Sequence, residues 1–502
     1  MNLSKSRYCS ALQCPKILWM AKNMPDQFDD STVDTYWLDI GNTIGDIARR
    51  YFGDFIEVPY AEKKAKMIKE TKRLLDKGTP VICEASFAFE GKFCSVDILC
   101  VFDGYVDIVE VKSSLYDNDS KADDIDEIYL HDMAYQYFVL TGCGLTVRNV
   151  SLLALNRQYT RQGELDIQKL FTLTDCTDTV KAMQADIPGR LLDIEKVIMS
   201  EDEPDEVIGS RCDSPYECSY KGWCWRNLPE DNIFNIGWRM KKSDKDSAYQ
   251  AGIISFEDVL NSDIKLDDKG KQRRQIETAL YDLHPHVNKP AIKEFLDDLH
   301  YPVYHFDFET FMPPIPPWDG IGPYAMIPFQ YSLHIQHEDG SVTHKGFLGE
   351  EGTDPRRAIA EQICKDIPVD ACVLAWHMPF EKTQLKGLAK IFPDLAEHLY
   401  EIVDNMKDLI DPFKYGDYYC KAMGGSSSLK SVLPALFPDD PELSYDNLEL
   451  VQHGGDAMQA YATLHEKPPE EAEKMRNALI EYCSLDTLAM VKILDKLREL
   501  VE

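Results

Sequence analysis

Between residues 93 and 113 the chain reads FCSVDILCVFDGYVDIVEVKS, two alternating apolar runs on either side of Asp103-Gly104. Asp-Gly in that setting signals a two-residue hairpin turn. With that turn, Phe102 faces Tyr105 and Asp97 faces Glu110, their Cβ atoms about 5 Å apart on one face of the sheet. Lys112, two residues beyond Glu110, projects from the same face. Like charges directly opposite one another destabilise a hairpin. A divalent cation between Asp97 and Glu110 gives the pair a purpose, and Lys112 beside it can polarise an attacking water or steady a phosphorane-like transition state. For Glu-x-Lys alone the plain alternative is a solvated hairpin face; the aspartate in register favours catalysis.

A second acidic set lies in the last third. In Tyr304-His305-Phe306-Asp307-Phe308-Glu309-Thr310, Asp307 and Glu309 are two apart on an expected strand and so share a face. An acidic pair in an apolar strand is costly unless a cation is bound. A second apolar run, Ala371–Trp376, leads through HMPFE into a helix that delivers Glu381. Tyr482 and Asp486, at i and i+4 in NALIEYCSLDTLAMVKIL, sit one helical turn apart. Carboxylates brought together from such elements can hold two cations about 4 Å apart, the arrangement for in-line phosphodiester hydrolysis. Unrelated surface acids in a very acidic chain are the bland alternative.

The cysteines carry a third signal. Cys212, Cys218 and Cys224 fall within RCDSPYECSYKGWCW, among Pro, Gly and aromatics rather than on an apolar stripe. That setting favours metal ligation over burial as small hydrophobes. A tetrahedral set needs a fourth thiolate, for which Cys14 in Gln13-Cys14-Pro15-Lys16 is the best candidate and Cys9 the reserve. Spacing alone leaves zinc and iron–sulfur both open.

The elements that must position these residues fit a folded α/β chain of several domains. The 502 residues are 44% hydrophobic and 28% charged, too long for one ordinary core and too apolar for extended disorder. No run of eighteen uncharged apolar residues occurs, which argues against a membrane span. The first twenty residues lack an apolar export core, so a cytoplasmic protein is expected. With 54 Lys and Arg against 86 Asp and Glu the net charge is −32, which disfavours a generic phosphate-coating protein but not an enzyme with a locally basic path. Fourteen cysteines in such a chain point to metal or free thiols rather than disulfides. Boundaries are expected near 226 and 300, with residues 227–300 as a small helical connecting module.

These motifs carry two resemblances. One cysteine before the hairpin and three after it, together with Asp97, Glu110 and Lys112, resemble the iron–sulfur RecB-like nucleases of the PD-(D/E)xK group, over about residues 5–226. The resemblance implies a 4Fe–4S cluster on Cys14, Cys212, Cys218 and Cys224 that clips the two ends of the nuclease fold together, with zinc as the alternative metal. Further matches are Gly41–Asp46 in a first helix, Glu84 in the strand Val81–Phe87, and Gln136 in HDMAYQYFVL, a weak substrate-binding candidate. Gly45 stands where the family often has a metal-binding histidine; Asp46 then substitutes as a ligand, or the site is weakened. Residues 301–502 resemble the DEDD exonucleases of the DnaQ-like, RNase H-fold superfamily. The match implies Asp307, Glu309, Glu381 and Asp486 as ligands of Mg2+ or Mn2+ and Tyr482 as the residue that orients water. Glu381 departs from the usual Asp, and His377 from the frequent Asn.

The pairing is similar to a bacterial family that fuses a RecB-like iron–sulfur domain to a DEDD-type domain, and GGSSSLKSVLP (Gly424–Pro434) fits it as well. The expectation is a metal-dependent nuclease, most plausibly acting on DNA in repair or defence, with two sites. The rivals are an enzyme with one live site and a binding platform, and a non-catalytic iron–sulfur scaffold that binds nucleic acid.

Overall fold

The computed structural model describes residues 3–502. The chain is a multidomain α/β protein that divides into two units. The first runs to Asn227 and takes back Pro314–Ala325; the second comprises Leu228–Pro313 and Met326–Glu502. The helical stretch 228–300, read from the sequence as a separate module, groups with the second unit. The Pro-rich loop that follows Pro313 groups with the first.

In the first unit, strands β1 (Leu3–Ser4), β2 (Ile56–Glu57), β3 (Val81–Phe89), β4 (Lys92–Phe102), β5 (Tyr105–Tyr116), β6 (Val147–Asn156) and β7 (Phe171–Asp175) form one mixed sheet. Its order is β2-β3-β4-β5-β6-β7, with β1 added parallel to the start of β4. The hairpin turns at Asp103-Gly104, Phe102 pairs with Tyr105, and the register holds to Ile98–Val109. Gly104 takes φ +82°, the left-handed conformation that this turn requires. Both faces of the sheet are covered, because alternate residues feed different cores: Leu99, Val106 and Ile108 on one side, Ile98, Cys100 and Val109 on the other. Helices Lys5–Gln13 and Glu127–Gly142 belong to the first of these cores, through Tyr8, Met133 and Tyr135.

In the second unit a short β8 (His286–Val287) pairs with β14 (Tyr418–Tyr419). The main sheet uses β9 (Val303–Phe311), β10 (Ile327–Gln336), β11 (Val342–Leu348), β12 (Cys372–Ala375) and β13 (Met406–Asp408) in the order β11-β10-β9-β12-β13. The first three strands are antiparallel, and β12 and β13 run parallel to β9. Phe306, Phe308, Tyr331 and Leu333 fill the core with helices Arg356–Asp366 and Pro379–Ile391. A 33-residue helix, Pro469–Val501, lies along β9 and β10. Among the described residues no helix is long and apolar enough to cross a membrane.

Candidate functional site

Three constellations hold the residues singled out by the sequence. The first is on the β4–β5 hairpin. Cys83 pairs with Ile98 and Ala85 with Val96, so Glu84 stands opposite Asp97; the β4–β5 register in turn sets Asp97 opposite Glu110. Three antiparallel strands thus carry a row of three carboxylates. At the hairpin itself the ladder gives way to a side chain: the Val111 N–H donates to Asp97 Oδ2 at 2.8 Å. Lys112 Nζ lies 2.6 Å from Glu110 Oε1 and 2.9 Å from Asp132 Oδ2. Gln136, one helical turn from Asp132, donates from Nε2 to Glu110 Oε2 at 2.6 Å and to Asp132 Oδ1 at 3.1 Å. Lys5 completes the set, its Nζ 2.9 Å from both Glu110 oxygens and 3.6 Å from Asp97 Oδ1 and from Asp132 Oδ1.

Electrostatics follow from this crowding. Burial, then the Glu110 charge, push Asp97 up to about 7. Burial and Glu110 also raise Asp132. Burial would raise Glu110 too, but the ammoniums of Lys112 and Lys5 outweigh it and hold the carboxyl well below its usual range. Asp46 and Glu84 line the same cleft, yet both are bound by Arg49, at 3.0 and 3.3 Å. Glu84 holds a left-handed φ of +56°, a strained backbone for a non-glycine residue. Cys9, the reserve thiolate, is placed here, beside Asp132 and Lys112, and not with the other cysteines. It does not line the cavity that Cys14, Cys212, Cys218 and Cys224 share.

The second constellation is in the second unit. Asp307 and Glu309 of β9 and Cys483 of the long helix bring ligand atoms within 4.8 Å of one another. Asp486, one turn further along, accepts a hydrogen bond from the Tyr445 hydroxyl and another from Tyr482. Glu381, in the first turn of helix Pro379–Ile391, is buried, and its Oε2 has no hydrogen-bond partner. Asp408 is buried beside it; one oxygen accepts from the His377 N–H at 2.8 Å while Oδ2 has no partner. His377 has φ +73°, a region in which Asn, Asp and His are the commonest non-glycine residues. Burial first, and then the neighbouring carboxylates, push Asp307 and Glu309 well above the carboxylate range. Burial lifts Glu381 to about 8 and Asp486 to about 6. Lys430 is the cation at hand, its Nζ 5.1 Å from the Tyr445 ring and 5.8 Å from that of Tyr482. An oxygen-rich, proton-holding set with an unpartnered buried carboxylate oxygen fits a hard divalent cation.

The third constellation is a cavity lined by Cys14, Cys212, Cys218 and Cys224. Cys14 caps the C-terminal end of helix Lys5–Gln13 and accepts from the Arg211 guanidinium at 3.1 Å. The Cys218 N–H donates to the Cys212 carbonyl at 2.8 Å, closing that loop. Burial pushes Cys218 up to about 11, and the three other sulfurs add to the effect. Arg211 opposes the shift at Cys14, and Lys16 opposes it at Cys224. Four thiols converging on one cavity fit a group that takes up thiolates.

Sequence reasoning missed Lys5, Asp132, Tyr445 and Cys483. Asp132 could have been found from its i,i+4 relation to Gln136, and Cys483 from its place between Tyr482 and Asp486. Lys5 and Tyr445 reach their sites from segments with no motif. No curated protein matches the chain. Residues 304–428, which include Asp307, Glu309 and Glu381, match a domain of unknown function (DUF2779).

Proposed function

We propose that the protein is a metal-dependent nuclease that hydrolyses phosphodiester bonds of nucleic acid, with DNA the preferred substrate, and with one site per unit. The observation that carries the reading is the second constellation. Asp307, Glu309, Glu381 and Asp486, spread over 180 residues of sequence, are gathered, the last three buried and Asp307 half-buried, and left short of positive partners. The sheet order β11-β10-β9-β12-β13, antiparallel then parallel, supports an RNase H-like fold for this unit. The hairpin with Asp97, Glu110 and Lys112 under helix Glu127–Gly142 supports a RecB-like fold for the first. The cysteine-lined cavity supports a 4Fe–4S cluster, or zinc, on Cys14, Cys212, Cys218 and Cys224.

Bound Mg2+ or Mn2+ would polarise the phosphoryl oxygens and make a water nucleophilic at neutral pH. In the second unit, Asp307, Glu309, Glu381 and Asp486 would hold the cations. Burial and Asp486 raise Tyr482 and Tyr445 above the usual phenol range, so both hydroxyls stay protonated at neutral pH and donate hydrogen bonds. Tyr445 orients Asp486, Tyr482, whose hydroxyl donates to Asp486, accepts a hydrogen bond from the attacking water, and Lys430 faces the phosphate. In the first unit, Asp97 and Glu110 would hold the cation and Lys112 would neutralise charge on the phosphate.

A single working site is a second reading, favoured by Arg49, which engages Asp46 and Glu84 beside the Gly45 position. Cleavage of end-labelled single-stranded DNA and RNA with Mn2+ tests both. Partial loss in Asp97→Ala and in Asp307→Ala, and complete loss in the double variant, supports two sites. Complete loss in Asp307→Ala alone supports one. Folded proteins without metal-dependent cleavage in any sample would leave a non-catalytic scaffold.

A further inference from the structure

Lys5 is delivered to the first site by a built arrangement. Leu3 and Ser4 pair with Lys92 and Phe93. The Tyr135 hydroxyl donates to the Leu3 carbonyl at 2.6 Å, and Tyr8, fully buried, stacks on Tyr135 with ring centroids 4.9 Å apart. Ser4 caps the helix that begins at Lys5 and accepts from the Arg7 N–H. The backbone at residue 5 is anchored from both sides, and what remains free to turn is the four-carbon stem of the side chain.

The Lys5 ammonium contacts both Glu110 oxygens, one of Asp97 and one of Asp132. One positive centre in contact with three carboxylates is the arrangement expected of a bound cation, here made by a side chain. Lys112 bonds Glu110 and Asp132, whereas Lys5 alone also makes an ion pair with Asp97. Lys5 therefore takes the place between the paired carboxylates of the hairpin. Gln136 closes the same carboxylate cluster: it is fully buried, its amide nitrogen is spent on Glu110 and Asp132, and its Oε1 has no partner.

We propose that Lys5 is a built-in competitor for the divalent cation of the first site, and that Asp132 joins Asp97 and Glu110 as a ligand when the Lys5 side chain swings out. The proposal rests on reading Asp97 and Glu110 as a cation site. A divalent ion added to two ammoniums would set four positive charges against three negative ones at hydrogen-bond range. One ammonium must leave, and Lys5 holds the contested position.

The test uses the full chain with the second site disabled by Asp307→Asn and Asp486→Asn, and free Mn2+ measured by electron paramagnetic resonance. Lys5→Met is expected to bind Mn2+ at least 10-fold more tightly than its parent, and Lys5→Arg no more tightly. Adding Asp132→Asn to Lys5→Met is expected to lose at least 10-fold. If Lys5→Met binds no more tightly while Asp97→Asn abolishes binding, the competitor is overturned and the site stands. If no variant that retains Asp97 binds Mn2+, both fall. Should Lys5→Met fold poorly without metal, thermal midpoints decide: a larger Mn2+-induced rise than in the parent supports competition, and an equal or smaller one overturns it.

Discussion

Asp486 and Glu381 hold protons at pH values where surface carboxyls have long lost theirs, because burial penalises their charged forms. A carboxyl raised in the folded state binds more protons there than in the unfolded chain. Its stabilising contribution is present below the unfolded value and is lost as pH rises through the folded one. The contributions of Asp486 and Glu381 to the metal-free second unit should thus be lost between about pH 4 and pH 8, the window bounded by ordinary carboxyls and by Glu381. Asp486→Asn should flatten that slope in thermal melts. Since protons and cations compete for the same oxygens, the Mn2+-induced rise in melting temperature should be larger at pH 8 than at pH 6. Tyr445 gives a second residue-level prediction. Its hydroxyl donates to Asp486, a hydrogen bond to a charged group worth about 1.5–3 kcal/mol. Tyr445→Phe should lower Mn2+-dependent cleavage by about 10- to 100-fold with the fold intact.

At the scale of elements, β9 does two jobs: Asp307 and Glu309 carry the acid set, and Phe306, fully buried between them and the start of the strand, anchors it. Phe306→Ala should cost about 3–5 kcal/mol in denaturant unfolding and abolish Mn2+ binding with it. The strand was legible because its acids interrupt an apolar run. The hairpin register was legible because Asp-Gly fixes the turn, and the three clustered cysteines because their neighbours are turn residues. Helix Glu127–Gly142 was harder to read: Leu130, Met133 and Val139 are buried, but so are His131, Asp132 and Gln136, so no polar stripe marks the working face. Lys5 and Tyr445 were not legible at all, since long-range packing brings them in and no local period encodes it. Asp46 and Glu84 line the expected cleft, but the sequence did not show that Arg49 would bind both.

For the whole molecule, two units with separate cores should not melt as one two-state transition. Calorimetry should resolve two steps. If the cysteines hold a metal as proposed, a chelator should lower only the step belonging to the first unit, and Asp307→Ala should move only the other. The chain passes from the first unit to the second after Asn227, returns at Pro314 and leaves again after Ala325. On that return the Arg161 guanidinium donates to the carbonyls of Pro316 and Pro317, and its N–H to that of Ile321. The coding sequences of the two units are therefore interleaved. A single recombination crossover at the first junction would part Arg161 from its acceptors, so descent should carry the halves together, and a hybrid gene that exchanges one of them needs three breakpoints.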